Sequence, residues 1–187
     1  LVGAALGLSG AAMQGLLRNP LAEPGLIGVS ATAALGAVIA LQTGLAATFA
    51  LALPIFALVG AGVAVGLLLL LAGPRGSSLV LILAGIAIAA LAAAATSLVL
   101  NLSPNPFAAS EIIFWLMGSL ADRSWTHVWL AGPLIALGCV VLFLTGRGLD
   151  ALTLGEDAAE ALGVRIGRLR LMVVTGTALA VGAATAV

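Results

Sequence analysis

Side chains that could carry chemistry are few in this chain of 187 residues. It has one histidine, His127, and one cysteine, Cys139, which together cannot build a transition-metal site, and no catalytic triad is recognisable. All seven basic residues are arginine, whereas a phosphate-binding P-loop requires a lysine. The sequence therefore predicts no catalytic residue, no metal site and no resident cofactor on this chain.

The densest group of charged residues lies between Gly146 and Arg170. Thr153 followed by Glu156 fits a capping box, which predicts the start of a short helix. A capped helix with a small apolar face either docks a partner protein or is a solvated linker, and the residues alone leave both open. The residues that define this element are Thr153, Gly155, Glu156, Asp157, Ala158, Ala161, Leu162 and Gly163.

A second informative stretch runs from Gln14 to Gly28. Pro20 and Pro24 forbid a continuous helix there, and Gly25 permits a tight turn. On spacing alone, we interpret this stretch as an ordinary rigid turn.

The elements that position these stretches follow from composition. The chain is 63% hydrophobic and 7% charged, with a mean hydropathy of +1.28, whereas soluble domains are about 25% charged. The net charge is zero and no basic face stands out, which argues against nucleic acid as a partner. The composition predicts a membrane protein in contact with lipid.

Continuous apolar runs predict helices, because backbone polar groups in lipid must be satisfied within the segment. The second run is short for a span, so it is tilted, broken or continued by residues 42–45. Both ends of the chain lie inside apolar runs, and we expect a piece of a longer protein. The predicted segments are 1–17, 26–41, 51–72, 78–100, 127–145 and 171–187.

Arginine distribution predicts the orientation. The loops at 18–25, 73–77 and 146–170 hold six of the seven arginines, and Arg123 is alone on the opposite side. Arginine excess marks the cytoplasmic side, and interfacial tryptophans suit the outer side. The outer loop should contain a short helix that begins at Ala109 or Ser110. The three tryptophans of the outer side are Trp115, Trp125 and Trp129.

Small residues at four-residue spacing predict faces where helix backbones approach closely. His127, at a membrane edge, is interpreted as a polar anchor, and Cys139 as a small core residue. The predicted small-residue faces are Gly3/Gly7, Gly62/Gly66, Gly85/Ala89/Ala93 and Gly176/Ala180/Ala184.

A secondary transporter is the main alternative of another class. Such proteins carry ionisable residues at mid-membrane, whereas the seven acidic and seven basic residues here fall at segment ends or in loops. A channel or a membrane scaffold stays open on these grounds.

Three stretches resemble one family in the same order: Ser9 to Ser30, Phe114 to Leu120 and Leu154 to Val164. They are similar to the FecCD-type permeases of ATP-binding-cassette (ABC) importers, which import ferric siderophores, heme or cobalamin. The resemblance implies an all-α polytopic membrane protein with a BtuC-like permease fold of ten helices. This chain would be a single permease domain, 1–187, that matches family helices two to seven.

The same resemblance implies partners and roles. Residues 147–170 would contact a separate ATPase that binds ATP-Mg, and a second permease would complete a homodimer or a paired dimer in the bacterial inner membrane. A periplasmic or lipid-anchored substrate-binding protein would dock outside, with Arg123 as a weak candidate contact. Ferric siderophore is the expected substrate, with heme or cobalamin as alternatives. The residues placed near the cytoplasmic gate are Asn19, Leu21, Ser77 and Ser78.

Overall fold

The structure, a computed structural model, describes residues 1–49, 51–73, 77–103, 106–119 and 124–187. These residues form helices and connecting turns, with no strand among them, so the predicted all-α fold is confirmed. A 3-10 turn, Pro24–Ile27, separates the first two helices. The helices are α1 Val2–Leu17, α2 Val29–Gln42, α3 Leu45–Thr48, α4 Ala52–Ala72, α5 Ser78–Asn101, α6 Pro106–Met117, α7 Trp125–Phe143, α8 Gly146–Leu152, α9 Glu156–Ala161 and α10 Ile166–Thr185.

Each predicted apolar segment corresponds to one helix. Within the described ranges, α4, α5, α7 and α10 are long and apolar enough to cross a membrane, while α1 and α2 have 16 and 14 residues. The last span begins at Ile166 rather than at the predicted residue 171. Arg168 and Arg170 therefore belong to the first two turns of this helix rather than to the preceding loop.

The short α2 follows from a turn that re-enters the bundle. Gly85 lies seven residues into α5, and a side chain there would overlap the carbonyl of Leu26. On α1, Gly10 lies 4.0 Å from Pro24 Cδ, measured from an ideal Cβ position. At 1.5 Å per residue, the Pro24–Ile27 turn is about 10 Å inside the end of the bundle. Irregular backbone is tolerated at that depth because protein surrounds it.

Glycines set the closest helix crossings. A Cβ at Gly36 would overlap the carbonyl of Phe56, and one at Gly60 would overlap that of Thr32, so α2 and α4 meet backbone to backbone. At the α7–α10 crossing, a Cβ on Gly138 would lie 2.7 Å from the carbonyl oxygen of Gly176. Lipid-embedded helices associate through such close packing, since apolar side chains gain little by leaving lipid.

The predicted small-residue faces are only partly correct. Gly85 and Gly176 lie at close crossings as expected. The Gly3/Gly7 and Gly62/Gly66 faces have no described atom within 4 Å of an added Cβ, apart from their own helix backbone. Four-residue spacing recurs on several sides of these alanine- and glycine-rich helices, and only the side that meets a neighbour becomes a crossing.

Helix α10 is the centre of the bundle and packs against α1, α2, α4 and α7. Over its most apolar stretch it is 67% buried, against 22% to 28% for the other three long helices. Val173 and Val174 have no exposed surface. Any displacement of α10 must therefore involve most of the subunit.

The arginines and tryptophans lie at opposite ends of the bundle. Near the end of α1, Gly15 is 3.6 Å from Leu149 of α8, measured from an ideal Cβ. At the start of α1, Leu1 Cδ1 lies 3.9 Å from an ideal Cβ position on Gly132 of α7. We call the two ends the arginine end (Arg18, Arg147, Arg168) and the tryptophan end (Trp115, Trp125, Trp129). This agrees with the predicted topology, although Arg75 and Arg123 lie outside the described residues.

The short helix at the tryptophan end is α6. It begins at Pro106 rather than at Ala109 or Ser110, because proline is well suited to the first position of a helix. Trp115 of α6 lines a hollow of about 460 Å³ together with Val2 and Thr185. Helix α6 packs against α2 and borders this hollow at the tryptophan end.

Cysteine labelling tests this orientation. In a Cys139→Ser background, a cysteine at Thr153 should react with a membrane-impermeant maleimide only from the cytoplasmic side, because arginine-rich loops stay there. A cysteine at Leu102, which is 70% exposed at the other end of α5, should react only from outside. Labelling of both positions from one side would contradict the topology.

Two glycines of α4 offer a matched test of the crossing. Gly60→Ala should lower the melting temperature of the purified protein, because overpacking costs about 1–3 kcal/mol. Gly62→Ala makes the same change on the open side of the same helix and should be neutral or stabilising. Equal melting temperatures for the two variants would show that the α2–α4 crossing is not as close as described.

Candidate functional site

Helix α8 is fixed to the bundle at the arginine end. The Thr145 hydroxyl, 1% exposed, donates to the Leu142 carbonyl at 2.5 Å where α7 ends. Leu149 then packs on Gly15 of α1, and Gly148 lies against Leu169 of α10. Helices α1 and α10 therefore both hold α8 in place.

Helix α9 follows as a short, tightly bounded element. It begins after Gly155, whose φ of 108° favours glycine. It ends at Ala161, and Gly163 follows the C-cap Leu162 with a φ of 86°. The Gly163 N–H donates to the Glu160 carbonyl at 2.9 Å and the Val164 N–H to the Ala159 carbonyl at 3.0 Å, which is a Schellman motif. Ala159 has no exposed surface, so the inner side of α9 rests on the bundle.

The predicted capping box of Thr153 and Glu156 is wrong. The Thr153 hydroxyl donates backwards to the Asp150 carbonyl at 2.6 Å, and Thr153 is the C-cap of α8. Gly155 is the N-cap of α9 and supplies no side chain. A threonine hydroxyl can hydrogen-bond to the backbone of the turn before it or the turn after it. Here it bonds to the last turn of α8.

The outward surface of α9 differs from the predicted apolar face. Leu162 is 66% exposed and Ala161 is exposed, whereas Ala158 is half-buried at the edge. Leu154, which sequence reasoning missed, is 69% exposed just before the Gly155 turn. Two exposed leucines therefore border α9, and Asp157 and Glu160 are exposed between them. We call residues 146–163, which comprise α8, Leu154, α9 and its C-cap Leu162, the platform.

An ion pair joins the platform to α10. Arg170 Nη2 lies 4.0 Å from Glu156 Oε1, with side-chain exposures of 8% and 44%. Arg170 also lines a cleft of about 370 Å³ with Ala72 and Gly73 at the end of α4 and Leu81 of α5. Sequence reasoning missed this ion pair, because it placed Arg170 in a loop with several other arginines.

The four gate candidates lie at the arginine end, two in the turn after α1 and two at the start of α5. Asn19 Oδ1 accepts from the Leu21 N–H at 2.9 Å, an arrangement that leaves the Leu21 side chain 86% exposed. Ser77 is the N-cap of α5, and its hydroxyl oxygen accepts from the Val80 N–H at 3.4 Å. Ser78, the first residue of α5, is half-buried. Their role at a gate between subunits stays a prediction.

The single histidine, His127, lies at the tryptophan end. The Ser124 N–H donates to His127 Nδ1 at 3.2 Å, so His127 caps the start of α7. Within the described ranges, no three His, Cys, Asp or Glu residues are grouped as metal ligands would be. Arg123, the candidate contact for a binding protein, lies outside these ranges and stays a prediction.

Curated relatives that are 37% identical over the whole chain include the following three. They are the uncharacterized ABC transporter permease protein YvrB of Bacillus subtilis (strain 168), the hemin transport system permease protein HmuU of Yersinia pestis and the vitamin B12 import system permease protein BtuC of Klebsiella pneumoniae. The chain covers 54%, 57% and 56% of their lengths, respectively. It therefore spans little more than half of these relatives.

A solved structure has the same fold. It is an ABC transporter assigned to the metal-chelate type, in an inward-facing conformation. It matches with a TM-score of 0.86 and 35% identity, over 99% of this chain and 59% of that one. The model of the FecCD transport family matches residues 1–187, and the chain therefore belongs to the FecCD transport family.

Proposed function

We propose that this chain is the membrane-spanning part of an ABC importer permease in the bacterial inner membrane. A separate ATPase would bind and hydrolyse ATP-Mg, and a substrate-binding protein would deliver the cargo. We propose an iron chelate, a ferric siderophore first, as that cargo. Heme or cobalamin is the alternative, since relatives are named for hemin and vitamin B12 and the similar structure for a metal chelate.

The observation that carries this proposal is the platform. A soluble ATPase can move helices in lipid only through a rigid element that it contacts outside the membrane. The platform is rigid because Leu149 packs on α1 and Gly148 on α10. Ala159, on the inner side of α9, is fully buried. Its exposed Leu154 and Leu162 are apolar groups that a cleft on another protein would bury.

Charge placement favours ATP as the energy source over a coupling ion. A secondary transporter would place an ionisable residue near mid-membrane. Over the described part of the chain, Arg170 is the sole buried charged side chain, and it lies in the first turns of α10 at the arginine end. Its partner is Glu156 of the platform. The buried charge therefore belongs to the coupling region and not to a mid-membrane ion site.

A second permease would complete the pathway. Helix α5 begins at the gate candidates and exposes apolar side chains along much of its length, including Leu79, Leu83 and Leu91. Such a surface suits lipid or a partner helix equally in composition. The proposed gate position favours a partner, as a homodimer or a paired permease, with Leu21 and Ser78 near the axis.

Leu162→Asp tests the platform. Burying a leucine is worth about 1.5–3 kcal/mol, so the variant should bind the ATPase about tenfold to a hundredfold more weakly in a pull-down with the full-length permease. Leu102→Asp is the matched control, because Leu102 is 70% exposed at the tryptophan end. If Leu162→Asp retains the ATPase and ATP-driven uptake as the control does, the platform is only a linker.

The gate is tested by bulky replacements. Leu21→Trp and Ser78→Trp should reduce uptake of a labelled ferric siderophore, because an indole at either position would obstruct a pathway at the subunit axis. Both variants should still co-purify with the ATPase, since neither residue belongs to the platform. Normal uptake in both variants would remove these residues from the gate.

A further inference from the structure

A groove runs between α4 and α10 from the arginine end towards the middle of the bundle. It consists of a cleft of about 370 Å³ at the arginine end and a hollow of about 340 Å³ that follows it along the same two helices. Its lining residues recur at three- and four-residue spacing, so they occupy one side of each helix. We call it the α4–α10 groove, and its lining includes Gly62, Val65 and Leu69 of α4 and Arg168, Leu171 and Thr175 of α10.

The groove is apolar and accessible along its length. Gly62 is exposed, and no described atom outside its own helix lies within 4 Å of an added Cβ. Leu171 is 43% exposed. The Thr175 hydroxyl donates to the Leu171 carbonyl at 2.7 Å, so the polar atom of this side chain is already satisfied. An occupant of this part needs no polar group, which suits a hydrocarbon chain.

The length of the groove matches one leaflet of a bilayer. Ala178, which also lines the inner hollow, follows Arg168 by ten residues, and at 1.5 Å per residue these span about 15 Å. The hydrocarbon core of a bilayer is about 30 Å thick, so one leaflet contributes about 15 Å. A chain that starts beside Arg168 therefore reaches the middle of the membrane within the groove.

Positive charge lies at the arginine end of the groove. Arg168 is exposed there, and with Arg165 and Met172 it also lines a neighbouring hollow of about 250 Å³. Among the described residues, neither Arg165 nor Arg168 is paired with a carboxylate, whereas Arg170 is paired with Glu156. The guanidinium presents a planar fork of donors that suits a phosphate. In the predicted topology this end faces the cytoplasmic leaflet, whose surface is negative.

We propose that the α4–α10 groove binds an anionic phospholipid of the cytoplasmic leaflet. The phosphate lies at Arg168, with Arg165 beside it, and one acyl chain follows the groove past Leu171 and Thr175. This site goes beyond the proposed function, because it requires a membrane but neither an ATPase nor a cargo.

Another part of the full-length permease is the competing occupant, since this chain spans little more than half of its curated relatives. An apolar helix would cover the groove and leave no room for an acyl chain. Charge complementarity favours the lipid, because a phosphate would neutralise two arginines that have no carboxylate partner among the described residues. Lipid binding to the full-length permease separates the two occupants.

Native mass spectrometry of the full-length permease in detergent measures this binding. The probes are dioleoyl phosphatidylglycerol and dioleoyl phosphatidylcholine, which have the same acyl chains and differ in the net charge of the headgroup. Phosphatidylglycerol should bind at least about fivefold more tightly, because each arginine near an anionic headgroup contributes a factor of about five. Inorganic phosphate is the third probe and tests for a site that needs no acyl chain.

Two variants separate the headgroup from the chain. Arg168→Gln should weaken phosphatidylglycerol binding about fivefold and phosphatidylcholine binding less. Gly62→Leu should weaken the binding of both lipids, because the new side chain would occupy the groove. The controls are Arg18→Gln, an exposed arginine at the same end and outside the groove, and Gly7→Leu, on the open side of α1. Both controls should bind lipid as the unchanged permease does.

Each outcome bears on the lipid site alone. Equal binding of the two lipids, or undiminished phosphatidylglycerol binding in Arg168→Gln, would overturn the proposal, and this exposed substitution decides alone if Gly62→Leu does not fold. Inorganic phosphate binding that depends on Arg168, with undiminished lipid binding in Gly62→Leu, would reduce the site to one for a free anion. An equal loss in Arg18→Gln would reduce it to general attraction between charges. No binding of either lipid would show that the rest of the permease covers the groove, and the proposed function would stand in every case.

Discussion

Close backbone contact at glycines is the interaction on which the rest of this structure depends. Between helices in lipid, apolar side chains gain little from association, so the geometry is set where backbones can touch. Gly36 and Gly60 provide this at the α2–α4 crossing, and Gly138 and Gly176 provide it at the α7–α10 crossing. The second crossing holds α7 against α10, which packs on α1, α2 and α4 as well.

The platform contacts α10, the central helix of the bundle, and can therefore act on many helices at once. Helix α8 rests on α10 through Gly148, and α9 is joined to it through Glu156 and Arg170. A force applied to an exposed residue such as Leu162 therefore reaches the helix with the most neighbours. The re-entrant Pro24–Ile27 turn packs on α5 two turns from its start, so the gate candidates belong to the same packed unit.

The apolar helices and the opposite placement of the arginines and tryptophans could be predicted from the sequence. Both follow from local composition, because lipid requires long apolar runs and arginines collect on one side of the membrane. Features that depend on neighbours could not. Thr153 caps α8 instead of α9. Arg170 lies in the second turn of α10, where Glu156 of the platform pairs with its buried charge. Leu154 lies in a turn, where no hydrophobic periodicity indicates which side chains are exposed. The open Gly62 face shows that spacing alone does not select a crossing.

Hydrogen–deuterium exchange of the full-length permease, with and without its ATPase, tests the central claim that the platform is the surface through which an ATPase acts. The amides of residues 155–164 should exchange more slowly in the complex, because contact would suppress local opening of α9. The amides of α6 at the tryptophan end should not change. Unchanged exchange at 155–164 in a complex that has demonstrably formed would contradict the account.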